Sequence, residues 1–131
     1  MGDNQKNSEV IVNANIDKVW QALTNEDMLT KWYAPNSPWK IPKLAKGEKI
    51  LFTLMPNAYN SLKEALPMDI TIEKVIPHKE FSFSVDSMEG IISFVLEELE
   101  NSVKVEANTE DYDESLANLK ALLEDKELPY I

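Results

Sequence analysis

The sequence predicts an α+β domain in which a curved, six-stranded antiparallel sheet wraps around a long C-terminal helix, with two short helices between the first and second strands. Three observations carry this. Apolar residues alternate with period two from Met68 to Ala107, and they fall at helical spacing from Ile16 to Trp32 and again from Leu116 to Leu123. The last of these stripes is the one long enough to lie across a sheet and cover its apolar face.

Ser8 to Ala14, SEVIVNA, reads as a strand with Val10 and Val12 on one face, and as an edge strand it could pair between subunits. Asn15 is placed to cap the next segment, and Asp17 lies in its first turn. Ile16, Val19, Trp20 and Leu23 then form one helical stripe, which assigns Trp20 to the core. Thr24, with Asp27 three residues on, marks the start of a second short helix that turns Met28, Leu29 and Trp32 inward.

Tyr33 to Lys46 contains three prolines and is expected to be a loop, since neither a helix nor a central strand tolerates them. Glu48 to Met55 is a strand stopped by Pro56. In the connection from Asn57 to Pro67, Ser61 and Glu64 make a capping pair for a single helical turn. That turn would hold Tyr59, Leu62 and Leu66 together as a lid over one end of the interior. The meander follows: Ile70 and Ile72; Phe81, Phe83 and Val85 after the turn Pro77-His78-Lys79; Ile92, Phe94 and Leu96; and Val103, Val105 and Ala107. Leu116, Leu119, Leu122 and Leu123 give the last helix, which runs to about Lys126.

The chain of 131 residues fits one domain spanning 1–131, with residues 1–7 a frayed polar tail. It has no cysteine, which excludes disulfides and thiolate metal sites. Its 23 acidic residues outnumber 13 basic ones, every one a lysine, for a net charge of −10. Such a chain repels phosphate backbones and anionic lipid, so neither a nucleic-acid nor a membrane partner is expected. No apolar run has the length of a signal peptide core or a membrane span, and the expected location is the cytoplasm.

Residues 12 to 33, VNANIDKVWQALTNEDMLTKWY, resemble the opening of the START-related helix-grip (SRPBCC) superfamily. Within it they are most similar to the family of homologues of the activator of the heat-shock protein 90 ATPase. The matching positions are Ala14, Ile16, Val19, Trp20, Ala22, Leu23, Thr24 and Trp32, continued by Gly47 and by Ile72 to Pro77 ahead of Phe81. The chain departs from the pattern at Asn15 (often Pro), at Glu48 (often Gly) and at Asp113 to Leu116, where many members open the last helix with Gly-Trp. The resemblance implies a helix-grip fold around a cavity. Its members include ligand carriers, polyketide cyclases and co-chaperones, so it implies no single activity.

A helix across a concave sheet leaves room beneath it, and the expected cavity is lined by Phe52, Leu54, Phe83, Phe94, Leu116 and Leu119. Trp32, Tyr33 and Trp39 flank the proline-rich loop at its mouth, where rings with a polar atom fit. His78, the single histidine, stands in a turn with no expected partner. No metal or cofactor is expected, because the acidic runs lack calcium-loop spacing and there is neither a nucleophile elbow nor a glycine-rich phosphate loop. No catalytic residue is assigned. The sequence points to non-enzymatic binding of a small apolar or amphipathic molecule. One alternative is a co-chaperone-like domain with a protein partner. Another is a cyclase or hydrolase, for which Glu64, Tyr59 and Tyr33 are the acid–base candidates.

Overall fold

The structure, a computed structural model, describes residues 7–34, 36–56, 62–86, 90–109 and 112–129. Its strands are β1 (Ser8–Val12), β2 (Trp39–Lys40), β3 (Lys49–Leu54), β4 (Leu66–Ile76), β5 (Glu80–Val85), β6 (Ile92–Glu98) and β7 (Val103–Ala107). Its helices are α1 (Ile16–Thr24), α2 (Glu26–Trp32) and α3 (Asp113–Leu123). All strands lie in one antiparallel sheet in the order β1-β7-β6-β5-β4-β3-β2.

Alternation sets the two faces. Pairing Ile50 with Ile70, Ile72 with Phe83, Phe81 with Phe94 and Leu96 with Val105 puts apolar side chains opposite one another on the covered face. The other face carries polar pairs such as Thr71 with Ser84 and Ser82 with Ser93. Lys49 bridges Asp86 and Thr71 there, at 2.9 and 2.6 Å, tying β3 to the end of β5.

Among the described residues the sheet has seven strands, one more than the sequence predicts. The additional strand, β2, lies inside the segment read as a loop. Its position at the sheet edge explains how prolines are tolerated beside it, since an edge strand needs hydrogen bonds on one side only. The Thr53 N–H donates to the Pro38 carbonyl at 3.0 Å, a bond that uses the one backbone group proline still offers. Pro67 lies within β4, opposite Thr53 and beyond the stretch of β4 that pairs with β5. β4 also breaks register between Ile72 and Lys74, where Glu73 is a bulge residue and accepts a hydrogen bond from Ser84 Oγ at 2.6 Å. The bulge shifts the phase, so that Val75 rather than Lys74 packs against the core.

The helices follow the expected order with different details. Asn15 Oδ1 accepts from the Lys18 N–H at 2.9 Å, as its capping position predicts. The second cap is Asn25, not Thr24: Asn25 Oδ1 accepts from Asp27 and Met28, whereas the Thr24 hydroxyl turns back to the Trp20 carbonyl. Val19, Ala22 and Leu23 form the buried face of α1, and Trp20 is half-buried at its margin. Its ring meets His78, whose Nε2 lies 2.8 Å from Asp17 Oδ1. His78 therefore has partners, contrary to the sequence reading, because the left-handed turn (φ 64°) brings it onto α1. α3 is 11 residues long and ends at Leu123, short of the predicted Lys126. The predicted lid is also altered: Leu66 is the first residue of β4, paired with Leu54, and residues 62–65 hold a bend at 63–64 rather than a helical turn. Tyr59 and Ser61 lie outside the described residues.

α3 is fastened to the first strand by charge. Lys120 Nζ donates to the Ile11 carbonyl and to Glu124, both at 2.7 Å. Glu124 also accepts from the Asn13 N–H at 2.9 Å. The Lys120 and Asn13 hydrogen bonds hold the Glu124 carboxyl below its ordinary value of about 4.5. A depressed folded pKa contributes stability that is present above the ordinary carboxylate range and is lost as pH falls through the folded value. Glu124→Gln is expected to lower stability by about 1 kcal/mol at neutral pH. It should also flatten the acid limb of stability against pH, as read by urea titrations from about pH 3 to about pH 7.

Candidate functional site

Six of the predicted interior residues come together. Trp32 ends α2, Tyr33 is its C-cap, Trp39 is in β2, and Phe52, Phe83 and Phe94 project from β3, β5 and β6. Tyr33 is the hub of the group. Its ring lies 4.9 Å from Trp39, 5.5 Å from Phe52, 5.7 Å from Trp32 and 6.5 Å from both Phe83 and Phe94, centroid to centroid. Most of these pairs stand edge to face, the arrangement that ring quadrupoles favour.

Backbone geometry places the hub. The last carbonyls of a helix have no partner within it, and those of Trp32 and Tyr33 are met by side chains from α3. Ser115 Oγ donates to the Tyr33 carbonyl at 2.7 Å, and Asn118 Nδ2 to the Trp32 carbonyl at 3.4 Å. The Trp32 indole donates to the Ala22 carbonyl at 2.7 Å, which locks α2 against α1. Trp39 is set by its backbone N–H, 3.3 Å from Thr30 Oγ1, and by buried Ser37, whose Oγ accepts from the Met55 N–H at 2.9 Å.

Sequence reasoning missed a seventh ring. Tyr112, just ahead of α3, packs 5.4 Å from Tyr33 and 5.3 Å from Phe94, and its hydroxyl is hydrogen-bonded to that of Tyr33. Its signal was present as a lone aromatic in the polar run Glu110 to Asp113. Burial of the Tyr33 phenol, reinforced by Tyr112, pushes its pKa well above the usual tyrosine value. Tyr33 therefore keeps its proton and is a poor general base.

The remaining candidates are less central. Leu116 and Leu119 are buried on α3 in the same core, and Leu54 is half-buried against it. Leu62 is half-buried, and both Leu66 and Glu64 are exposed. Two shallow surface depressions, one beside Ala14 and the Glu98–Val103 turn and one between Lys18 and Leu122, include no predicted site residue. Among the described residues no group of three or more His, Asp or Glu could hold a metal ion, and no helix is long and apolar enough to cross a membrane.

The fold has counterparts among solved structures. The Aha1 dimer from Colwellia psychrerythraea is similar with a TM-score of 0.65 and 23% identity, over 90% of this chain and 94% of that one. The protein encoded by gene BPP1335 of Bordetella parapertussis gives a TM-score of 0.74 at 16% identity, over 98% of this chain and 79% of that one. Protein SSP2350 of Staphylococcus saprophyticus gives 0.66 at 17% identity, over 96% and 98%. At these identities the likeness establishes the fold alone. No curated protein matches the sequence. The profile of one family, described as activator of Hsp90 ATPase homolog 1-like protein, matches residues 13–124. With its sheet, its gripped helix and a match over most of its length, the chain belongs to that family.

Proposed function

We infer that the domain binds a small apolar or amphipathic molecule in its interior, against the ring group around Tyr33. The observation that carries this reading is the placement of polar atoms. Two phenol hydroxyls and the Trp39 indole N–H lie within one otherwise apolar cluster. Packing alone is better served by side chains without polar atoms, whereas a ligand site combines apolar walls with a few convergent polar groups. The absence of cysteine is compatible with the cytoplasm as the setting.

The family description suggests a second reading, a domain that docks on a protein. The outer face of the sheet gives it little support, because its exposed apolar side chains are isolated among charges. Val95 stands between Glu80 and Glu106, Leu51 between Lys40 and Asp69, and Ile11 beside Lys104. Such scattered residues do not form the contiguous patch that marks an interface.

Titration with N-phenyl-1-naphthylamine, a neutral apolar fluorophore, tests the binding reading. Saturable one-to-one binding with blue-shifted emission is expected, and Tyr33→Ala should weaken it about tenfold, since the hub ring touches every wall. Non-saturable binding, or affinity unchanged by Tyr33→Ala in a variant that remains folded by circular dichroism, would refute it.

A further inference from the structure

The two fully enclosed tryptophans are treated differently. Trp32 Nε1 has the Ala22 carbonyl, whereas Trp39, 2% exposed, has an Nε1–H with no hydrogen-bond acceptor among the described residues. Among the described residues, hydroxyls of this region have partners of their own. The hydroxyls of Tyr33 and Tyr112 bond each other, and Ser37 Oγ serves Met55. Among the described residues, the rings packed against the Trp39 indole are Phe52 at 4.8 Å, Tyr33 at 4.9 Å and Phe83 at 5.9 Å, the last two nearly perpendicular to it. A ring face is a weak acceptor, so the donor retains most of its desolvation cost.

Chemistry narrows what could meet it. An indole nitrogen only donates, so the complement must be an acceptor oxygen or nitrogen. None of the rings against Trp39 is charged, the chain has no arginine, and the Tyr33 phenol keeps its proton. A carboxylate or phosphate placed against these rings would be a buried charge with no counter-ion among them. A carbonyl-type oxygen on an apolar body meets the donor and leaves no charge uncompensated.

We propose that the interior site takes a neutral, mainly apolar molecule bearing a carbonyl-type oxygen, and that Trp39 Nε1 donates to that oxygen. This rests on the interior binding reading above. Trp39 acts as the residue that selects and orients the ligand, through a bond that apolar contact cannot supply.

The test uses three probes built on one fluorophore: dimethylaminonaphthalene alone, its propionyl ketone, and its carboxylate. The ketone-to-parent affinity ratio is expected to be about tenfold higher in the unaltered protein than in Trp39→Phe, the parent probe correcting for the apolar contact that both probes lose. The carboxylate should bind most weakly. A ratio that Trp39→Phe leaves unchanged, or a carboxylate that binds most tightly, overturns the proposal while leaving interior binding intact. Failure of all three probes to bind overturns the binding reading itself. Should Trp39→Phe not fold, the infrared carbonyl stretch of the bound ketone decides. A band lowered from its position in alkane supports the hydrogen bond, and one at the alkane position rules it out.

Discussion

Trp32→Ala should be among the most damaging single substitutions in this chain, lowering stability by about 4 kcal/mol. Trp32 is fully buried, its indole donates to the Ala22 carbonyl at 2.7 Å, and its ring packs against Tyr33 and Phe94. Removing it leaves a ring-sized cavity and an unsatisfied carbonyl together, two costs with separate origins. Trp20→Ala is the internal comparison. Although Trp20 lies on the predicted stripe, it is half-buried and meets exposed His78, so its loss should cost about half as much. Denaturant midpoints of the two variants check the order. Equal losses would mean that ring size rather than position governs both.

Phe94→Ala should cost about 3–5 kcal/mol. Phe94 is the ring that joins the α2 end of the group to the α3 end, with Trp32 at 6.0 Å, Phe83 at 6.2 Å and Tyr112 at 5.3 Å. Phe94→Leu restores most of the volume without the ring edges, and should recover all but about 1 kcal/mol. The near-ultraviolet circular dichroism of the tyrosines gives an independent reading. It should weaken in both variants, because Tyr33 and Tyr112 each lose an aromatic neighbour. A Phe94→Ala loss below about 1 kcal/mol would show that the cluster relaxes around the gap rather than resisting it.

Much of the fold was legible because the sheet obeys strict alternation. Once Phe81, Phe83 and Val85 are placed on one face, Phe94, Leu96, Val103 and Val105 follow by pairing. The exceptions are local events that break the period. After Ile72 the alternating position is Lys74, yet the apolar residue is Val75, and that slip of phase is the written trace of the bulge at Glu73. β2 was hidden because proline excludes a central strand but not an edge. Trp20 was over-read because a stripe has a centre and margins, and α1 buries its centre at Val19, Ala22 and Leu23. For the site, apolar rings were easy to assign to the interior. Their meeting at Tyr33 was not, since it depends on Ser115 and Asn118, polar residues on the face of α3 that a hydrophobic count ignores. The unmatched Trp39 donor left no mark in the sequence, because hydrogen-bond satisfaction is a property of the assembled interior.

The fastening of α3 to the first strand has a consequence for behaviour in concentrated solution. An open sheet has two margins, and bare backbone at either one invites another chain to add itself as a further strand. At one margin stands β2, only two residues long and carrying Lys40, which gives an incoming chain too little to align on. At the other, Lys120 and Glu124 occupy the Ile11 carbonyl and the Asn13 N–H near the end of β1. Because the second guard is an ion pair, its hold weakens as Glu124 takes up a proton. Acid below the ordinary carboxylate range is therefore expected both to loosen the helix and to expose a template for fibrous self-association.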